Sequence, residues 1–501
     1  MPDKRVIIIG AGLAGLSAGV FAQMNGYQSR ILEHGAQPGG VAAWWKRGDY
    51  LIDGGIHFAM GHSPRTGFYR LCEQLGIVPA VKLAAMDTYG RFLHEPSGWS
   101  VTLTRDLDRL AEDLKAHSPV DARLVDEIIW AARGMQGYDL GGLGMSAPPE
   151  MAGPLDQVGQ LWAMRRLLKY MVGKLGRPMS EYVQGAHDAT LGVFLKNLFL
   201  PQSPVFFVSM LLAMLADGQL AFIEGGCRDY VGAIEQRYLA LGGEIAYRAT
   251  VKEIIVESGR ATGVRLADGR EERADAVIAA CDGRSVLFDM LAGRYLTEKT
   301  RQRYATWETF KPLLMTTFGV AREFPGEPAF TTLVLDRPFV IGSETIPGLF
   351  IRIFNYSGGF APPGKSVIQA TIETGWEHWN SLRQEDRARY RAEKERVAGE
   401  ILQRLEALYP GLSGQVEVTD VATPYTTWRY TLNHEGAWEG WLMTAKAMRT
   451  SLERTLPGLQ RLYLAGQWVM PGGGVPPVLY SGRHAVQLLC RDDGKTGFAG
   501  F

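Results

Sequence analysis

Four residues near the start of the chain have the types and spacing that favour binding of a dinucleotide. Gly10, Gly12 and Gly15 form a GxGxxG motif directly after an apolar run, and Glu33 follows eighteen residues after Gly15. The first glycine allows a tight turn, the second lets a pyrophosphate approach the backbone, and the third lets a helix pack closely on a strand. The Glu33 carboxylate is placed to accept hydrogen bonds from a ribose, and it would repel the 2′-phosphate of NADP.

The elements that must position these residues form a βαβ unit. Residues 6–9 predict a strand, residues 13–23 a helix that ends at Asn25-Gly26, and residues 29–32 a second strand. The N-terminus of the helix would offer free N–H groups and a partial positive charge to phosphates. An ordinary glycine turn in an α/β sheet is the alternative, but the agreement of all four features favours a dinucleotide.

Two further glycine pairs and a histidine follow the first unit. Gly39-Gly40 and Gly54-Gly55 flank a pair of tryptophans, and His57 comes two residues after the second pair. We expect loops whose backbone comes close to a cofactor; two surface hairpin turns are the alternative. His57 is a candidate for contact with the cofactor or the substrate, although a lone histidine more often has a structural role.

Two later stretches extend this pattern. Residues 242–281 predict a three-stranded β-meander that returns to a sheet strand. Residues 461–490 repeat the order of strand, glycine turn and helix, and so supply a second helix N-terminus. Elsewhere, the patterns predict strands at 92–103, 311–320, 330–335 and 367–373, and helices at 107–116, 121–133 and 386–408.

Composition limits the classes of function. The 501 residues are enough for two or three domains, and 53 basic residues balance 53 acidic ones, so no net charge favours nucleic acid. The four cysteines form no CxxC pair, which predicts neither a metal site nor a disulfide framework and fits a reducing compartment. Because the first predicted strand begins at residue 6, we expect no signal peptide and a cytoplasmic protein.

Two apolar segments lie between the glycine-rich parts. Residues 205–216 are nearly all apolar but fall short of the about 20 residues that a membrane-spanning helix needs, so we expect a buried helix or the wall of an apolar cavity. Residues 161–175 predict an amphipathic helix with basic residues on its other faces, after a Gly/Pro-rich loop at 141–160. Such a helix either lies on a membrane surface or packs its apolar stripe on the core.

Aromatic residues are dense between residues 425 and 441. A cluster of this kind either lines an apolar pocket or belongs to the packing of a core. The candidate substrate contacts are Tyr425, Trp428, Tyr430 and Trp441.

The glycine-rich parts together resemble the FAD-dependent phytoene desaturase-like family, which includes carotenoid desaturases, carotenoid cis–trans isomerases and retinol saturases and is related to the flavin amine oxidases. The resemblance runs through the whole chain. It is most specific at residues 463–466 (YLAG) and 471–476 (PGGGVP), which look like the C-terminal FAD segment of the desaturases. The chain departs from the pattern at Gln37-Pro38, where many relatives have an arginine, and at Gln467, where amine oxidases usually have an acid.

The resemblance implies an α/β fold with a two-dinucleotide-binding, Rossmann-like FAD domain, discontinuous in sequence and carrying the β-meander, and a mixed α+β substrate domain with apolar helices. The expected boundaries are 1–80, 218–290 and 455–501 for the FAD domain and 81–217 and 291–454 for the substrate domain. The residues expected to bind FAD are Gly10, Gly12, Leu13, Ala14, Gly15, Glu33, Gly39, Gly40, Val41, Gly55, Ile56, His57, Val251, Gly466, Gln467, Gly474, Val475 and Pro476.

The family also implies a reaction. One bound FAD would take a hydride from, or give a hydride to, a carbon–carbon bond of an apolar isoprenoid-like or other lipid-like substrate, with His57 as the candidate catalytic residue. Oxygen, a quinone and a nicotinamide are the alternative electron partners. Three other functions stay open: a non-redox cis–trans isomerase of a polyene, an amine oxidase-like flavoenzyme, and a non-catalytic binding protein like the GDP-dissociation inhibitors.

Overall fold

The fold is described from a computed structural model that covers residues 4–142 and 144–500. Its strands are β1 (Arg5–Ile9), β2 (Gln28–Leu32), β3 (Trp44–Arg47), β4 (Tyr50–Asp53), β5 (Ala59–Met60), β6 (Leu83–Ala85), β7 (Thr88–His94), β8 (Trp99–Thr104), β9 (Leu220–Ile223), β10 (Glu244–Ala246), β11 (Val251–Glu257), β12 (Arg260–Leu266), β13 (Glu271–Arg273), β14 (Ala276–Ala279), β15 (Leu313–Val320), β16 (Phe330–Ile341), β17 (Glu344–Ile353), β18 (Ser366–Glu373), β19 (Val416–Ala422) and β20 (Leu462–Leu464).

The α-helices are α1 (Leu13–Met24), α2 (Gly67–Gln74), α3 (Leu107–His117), α4 (Ala122–Met135), α5 (Pro154–Met171), α6 (Met179–Tyr182), α7 (Ala189–Lys196), α8 (Val205–Ala216), α9 (Gly226–Ala240), α10 (Glu298–Thr306), α11 (Trp376–Glu385), α12 (Arg387–Leu408), α13 (Pro424–Thr431), α14 (Ala445–Met448) and α15 (Val475–Asp492).

A five-stranded parallel sheet, in the order β10-β2-β1-β14-β20, carries the glycine motifs at the carboxyl ends of its strands. The strands are short apolar runs, as expected for a sheet covered on both faces, and residues 6–9 of β1 are all buried. Its strands come from three distant stretches of the chain, which confirms the expected α/β FAD fold. The exact domain boundaries stay a prediction.

Helices α1 and α15 pack together on this sheet. A Cβ on Gly482 would lie 2.2 Å from the Ala14 carbonyl oxygen, and the Ser17 hydroxyl donates to the Leu479 carbonyl at 2.7 Å. These contacts fall in the first two turns of both helices, so the two helix N-termini begin side by side.

A seven-stranded sheet, in the order β19-β15-β18-β17-β16-β7-β8, forms the second part of the molecule. Its pairs are antiparallel except β16 with β7, which joins segments more than 200 residues apart. The β-like stretch predicted at 92–103 belongs to a hairpin, β7–β8, because residues 95–98 form a turn in which Gly98 has φ +68°.

The helical layer follows most of the sequence patterns. Helix α8 is largely buried, and α3, α4 and α12 lie where the periodicity predicts them. The prediction of a loop at 141–160 is wrong for its second half, because α5 begins at Pro154. Proline is well suited to the first turn of a helix. Within the described ranges, none of the helices combines the length and apolar character needed to cross a bilayer.

Candidate cofactor-binding site

The three glycines of the turn after β1 are required for different reasons. Gly10 has φ +96° and its N–H donates to the Leu32 carbonyl at 2.8 Å, while a Cβ on Gly15 would lie 1.9 Å from the Gly10 carbonyl oxygen. Gly12 is different. Its φ of −68° suits any residue, and the one protein atom within 4 Å of a Cβ there would be the Gly39 carbonyl oxygen, at 4.0 Å. The protein's own packing therefore does not explain glycine at position 12, whereas a closely approaching ligand does.

The second glycine pair lies directly against the first motif. The Gly39 N–H donates to the Ala11 carbonyl at 2.9 Å, and a Cβ on Gly40 would lie 3.4 Å from the Gly12 Cα. Gly39 has φ +122°, a backbone conformation that favours glycine. The two glycine loops and Val41, which follows them, thus form one wall.

Gly55 and Ile56 lie behind this wall. A Cβ on Gly55 would come within 2.9 Å of Ala42 Cα, Cys227 Sγ and the Val41 carbonyl oxygen, so packing there requires glycine. The Ile56 N–H donates to Cys227 Sγ at 3.1 Å. These contacts fix the backbone that leads into His57.

Glu33 fastens the first glycine turn. Its Oε2 accepts from the Ala11 N–H at 2.6 Å, its Oε1 accepts from the Gly35 N–H at 2.6 Å, and the residue is 7% exposed. The Glu33 carbonyl in turn accepts from the Ala249 N–H at 2.8 Å, which brings the start of β11 at Val251 beside it. The structure therefore brings Glu33 and Val251, both expected at the adenosine end, into one region.

The C-terminal glycine turn closes the same site. The Gly466 N–H donates to the Ser481 hydroxyl at 2.7 Å, and a Cβ on Gly466 would lie 3.7 Å from the Ala14 Cβ. Gly474, the N-cap of α15, has φ +80° and no protein atom within 4 Å of a notional Cβ. Val475 and Pro476 then begin the helix.

These features fit FAD. The backbone at Gly12 and at Gly474 has room that no side chain of the protein uses, and each residue precedes one of two adjacent helix N-termini. Helix N-termini bind phosphates and other electron-rich groups through their free N–H groups and dipole. An extended dinucleotide matches such a pair, because it carries a pyrophosphate near its middle.

Aromatic rings surround His57 on the far side of this site. The His57 ring lies 5.3 Å from Phe350, 6.2 Å from Phe330 and 6.4 Å from Trp438, between ring centroids. His57 and Tyr89 are both partly buried, and the Tyr89 ring lies 6.3 Å from the same Phe330 ring, between ring centroids. They therefore belong to one aromatic cluster.

Glu439 is half-buried and follows Trp438 in the chain. Burial raises the pKa of the Glu439 carboxyl to about 8, against a small opposing effect of the Gly474 N–H. Burial, together with the Arg352 guanidinium, holds the pKa of His57 well below its usual range. Near neutral pH both residues are thus predominantly uncharged, which suits an apolar ligand.

A buried ion pair supports the backbone of His57. Arg352 Nη2 lies 3.6 Å from Asp53 Oδ1, with the side chains 2% and 1% exposed. Asp53 also accepts from the Cys227 N–H at 2.6 Å, and the Gln369 amide donates to the Asp53 carbonyl at 3.0 Å. Since Arg352 and Gln369 belong to the seven-stranded sheet, this network ties that sheet to the end of β4, four residues before His57.

The predicted aromatic substrate contacts do not lie together with His57. Tyr425 contacts Trp428 and Trp376, with ring centroids at 5.3 and 6.3 Å, and Tyr430 is 60% exposed. Trp441 is 2% exposed, and its indole N–H donates to the Trp468 carbonyl at 3.1 Å. These contacts place Trp441 in the core that braces the C-terminal motif.

Asp53, Arg352 and Glu439 also belong to the site, but no sequence motif identifies them. Asp53 and Arg352 lie 299 positions apart, and only the pairing of distant strands brings them together. Glu439 had a weak signal, since it is the one acid between the tryptophans of the Trp438–Trp441 segment. An acid in so apolar a segment needs either a partner or a proton.

Comparisons with known proteins agree with this geometry. The model of the flavin containing amine oxidoreductase family matches residues 13–490. A chloroplastic prolycopene isomerase of Arabidopsis thaliana is 25% identical over 500 residues, which cover 97% of this chain and 83% of the relative. A neurosporene-forming phytoene desaturase of Rhodobacter capsulatus is 24% identical over 526 residues, covering 97% and 94%.

Among solved structures, an oxidoreductase from Methanosarcina mazei has the same fold. It superposes with a TM-score of 0.61 at 17% sequence identity and covers 96% of this chain and 100% of its own. The glycine motifs, the fit to FAD and the family match lead to one conclusion. The chain is an FAD-dependent oxidoreductase of the flavin containing amine oxidoreductase family, within its phytoene desaturase-like group.

Proposed function

We propose that this enzyme desaturates or saturates a carbon–carbon bond of an elongated apolar substrate, an isoprenoid polyene of the carotenoid or retinoid type. The observation that carries the proposal is the aromatic cluster of Phe330, Phe350 and Trp438 around His57, whose titratable neighbours His57 and Glu439 are predominantly uncharged near neutral pH. A polyene needs such a lining, because it has no polar group that could compensate for a buried charge.

The chain's own residues would hold the cofactor and orient the substrate. In this proposal the pyrophosphate lies at Gly12 and the start of α1, the adenosine lies between Glu33 and Val251, and the flavin lies among Val41, Gln467 and Gly474. When bound, FAD supplies a two-electron acceptor or donor for hydride transfer at its N5 atom. The rings of His57, Phe350 and Trp438 would position the polyene and exclude water.

A second candidate is non-redox cis–trans isomerisation of a polyene. Its support is the prolycopene isomerase among the relatives, which matches 97% of this chain. Such a reaction would use the same aromatic lining and the same cofactor site, but it would leave the mass of the substrate unchanged.

The mass of the product distinguishes these reactions. Purified protein that contains FAD is incubated with linear polyenes under oxidising and under reducing conditions, and the products are identified by mass spectrometry. A shift of two hydrogens supports the redox reaction, and a change of retention time at constant mass supports isomerisation. Conversion of primary amines with release of hydrogen peroxide, and of no polyene, would instead identify an amine oxidase.

We also propose contact with a membrane surface through α5, since an apolar polyene is stored in lipid. Trp162 on this helix is 66% exposed, and the Arg165 guanidinium lies 3.4 Å from the centre of its ring. A basic and aromatic helix surface of this kind suits a lipid interface. Co-sedimentation with anionic vesicles should fall markedly for Trp162→Glu, and unchanged co-sedimentation would contradict the proposal.

A further inference from the structure

Glu439 lies on a segment whose backbone is fixed on both sides. Before it, the His434 N–H donates to Asp282 Oδ2 at 3.0 Å, and the Asn433 side chain donates to the Ala437 carbonyl at 3.2 Å. After it, the Phe310 N–H donates to the Gly440 carbonyl at 3.1 Å. Both anchors limit the position of Glu439, so its carboxyl group is held in place rather than carried on a free loop.

The segment packs against the C-terminal glycine motif at two places, Gln467 and Gly473. A Cβ on Gly440 would lie 2.5 Å from the Gln467 carbonyl oxygen. A Cβ on Gly473 would lie 3.0 Å from the Glu439 Cβ and 3.1 Å from its carboxyl carbon and Oε2. The absence of a side chain at Gly473 therefore provides the room that the Glu439 carboxyl occupies, beside Gly474 and the start of α15.

Within the described residues, no cation contributes to the pKa of the Glu439 carboxyl, and the Gly474 N–H is the one donor that affects it. Several titratable groups lie on or near the segment. His434 and Glu435 precede it, and Asp282 accepts from the His434 N–H. The His57 ring contacts Trp438, the Tyr304 ring contacts Trp441, and the backbone carbonyl of Glu308 accepts from the Leu442 N–H. None of them contributes to the raised pKa of Glu439, which burial causes.

We propose that Glu439 is the acid–base residue of the carbon–carbon chemistry, exchanging one proton with a carbon of the bound polyene. This proposal rests on the proposed function. The Glu439 carboxyl is held beside Gly473 and Gly474 of the cofactor motif, and the neighbouring Trp438 ring contacts His57. In the proposed function this places the carboxyl between the cofactor and the substrate, and its burial lets it change its protonation near neutral pH.

Glu439 would transfer one proton in either redox direction. In desaturation, a hydride leaves one carbon for oxidised FAD and a proton leaves the neighbouring carbon for the Glu439 carboxylate, so two C–H bonds break and one C=C bond forms. In saturation, the π bond of the C=C breaks: the hydride from reduced FAD forms one C–H bond, and the proton from the Glu439 O–H forms the other. Water restores the proton on Glu439 after saturation and takes it up after desaturation.

The same residue would serve isomerisation without any redox partner. The Glu439 proton adds to one polyene carbon, the double bond becomes a single bond about which the chain rotates, and the same carbon returns a proton to the carboxylate. Mass and oxidation state are unchanged in this sequence, yet the carbon exchanges its hydrogen with water.

The test compares the FAD-loaded wild type with Glu439→Gln, which keeps size and polarity but cannot exchange a proton. Glu435→Gln is the matched control, because its side chain is 60% exposed on the neighbouring turn. In deuterated water, a polyene that is saturated or isomerised should become labelled by the wild type and by Glu435→Gln. A desaturated product takes up no proton, so for that reaction the readout is turnover. For Glu439→Gln we expect a loss of turnover of about 100-fold or more, with FAD retained. Equal turnover and equal labelling in Glu439→Gln would overturn the proposal.

A second readout does not depend on turnover. The visible absorption spectrum of the bound flavin is recorded between pH 6 and pH 10, since a charge that forms beside the cofactor shifts the spectrum. We expect a transition near pH 8 in the wild type and none in Glu439→Gln. If no polyene is converted but this difference is seen, the proposed function fails while the placement of Glu439 stands. Identical pH profiles would reject the role of Glu439 whatever the substrate.

Discussion

Gly12 has a backbone conformation open to any residue and almost no protein atom near its missing side chain. Gly12→Val should therefore fold but lose FAD, because the branched side chain would occupy the space of the pyrophosphate. The measurement is the ratio of flavin to protein absorbance after purification, together with the circular dichroism spectrum. Gly399→Val on the exposed surface of α12, where a Cβ also meets no atom within 4 Å, is the control and should keep FAD. Full flavin absorbance in Gly12→Val would place the cofactor elsewhere.

His57 is held as a neutral ring among aromatic side chains, so its expected role is to shape the substrate space rather than to carry a charge. His57→Ala should retain FAD and lose roughly tenfold or more in turnover, since misplacement of the reacting atoms is costly. His57→Phe keeps an aromatic ring and should recover most of the activity. Normal turnover in His57→Ala would leave His57 with a purely structural role.

Sequence patterns identify residues well where one local reason explains the residue type. The glycines at 10, 12 and 15, and Glu33, belong to one short unit whose spacing is set by a single turn, and the structure shows that unit. Glu439 lacks such a local reason. Its burial follows from the contacts of Gly440 with Gln467 and of Gly473 with Glu439 itself, and both join distant parts of the chain.

At the scale of elements, Asp493 fastens the end of the parallel sheet opposite the cofactor site. It follows α15 and accepts hydrogen bonds from Lys4 at 2.6 Å, from the Tyr27 hydroxyl at 2.9 Å and from Arg461. Lys4 and Arg461 precede β1 and β20. One carboxylate therefore joins both outer stretches of the discontinuous FAD domain to the last helix.

Asp493→Asn should destabilise the protein without loss of FAD. Burial alone would raise the pKa of Asp493, but the hydrogen bonds from Lys4, Arg461 and Tyr27 lower it below its usual value. A lowered pKa stabilises the fold above the unfolded value of about 3.9 and loses this effect as the pH falls. At pH 7 we expect a loss of roughly 1–3 kcal/mol in the free energy of unfolding, which should shrink below about pH 4. A difference that is constant from pH 7 to pH 3 would contradict this origin.

Helices and strands with a strong local apolar pattern can be predicted from the sequence. Strands that form only by pairing with distant segments cannot. Helix α8 and strands β15 and β18 follow from local apolar patterns. Strand β17 carries exposed residues among buried ones, and the exposed residues of β19 alternate with half-buried ones. Both become strands by pairing with β16 and β15. The first two turns of α5 were also missed, since Pro154 and Gly159 are typical of loops when read alone.

At the scale of the whole molecule, the seven-stranded sheet, built from residues 88–104 and 313–422, contacts the part of the chain that carries His57. The Asp53–Arg352 pair joins the end of the β3–β4 hairpin to the seven-stranded sheet. Gln369 of that sheet extends the network, since it also donates to the Thr317 hydroxyl at 3.0 Å. The seven-stranded sheet thus helps to set the position of His57, which follows β4 by four residues.

Removing both partners of this pair should cost less than the sum of the two single changes. Arg352→Met leaves the buried Asp53 without its cation, and Asp53→Asn leaves a buried guanidinium without its anion, so each should lower stability by about 3–5 kcal/mol. The double variant removes both charges and should be less destabilised than the sum of the single variants. The measurement is the midpoint of thermal unfolding, followed by the fluorescence of released FAD, with Arg109→Met as a control at an arginine whose side chain is 71% exposed. Additive losses across the cycle would show that Asp53 and Arg352 act independently, and the two parts of the molecule would then be joined by their apolar contacts alone.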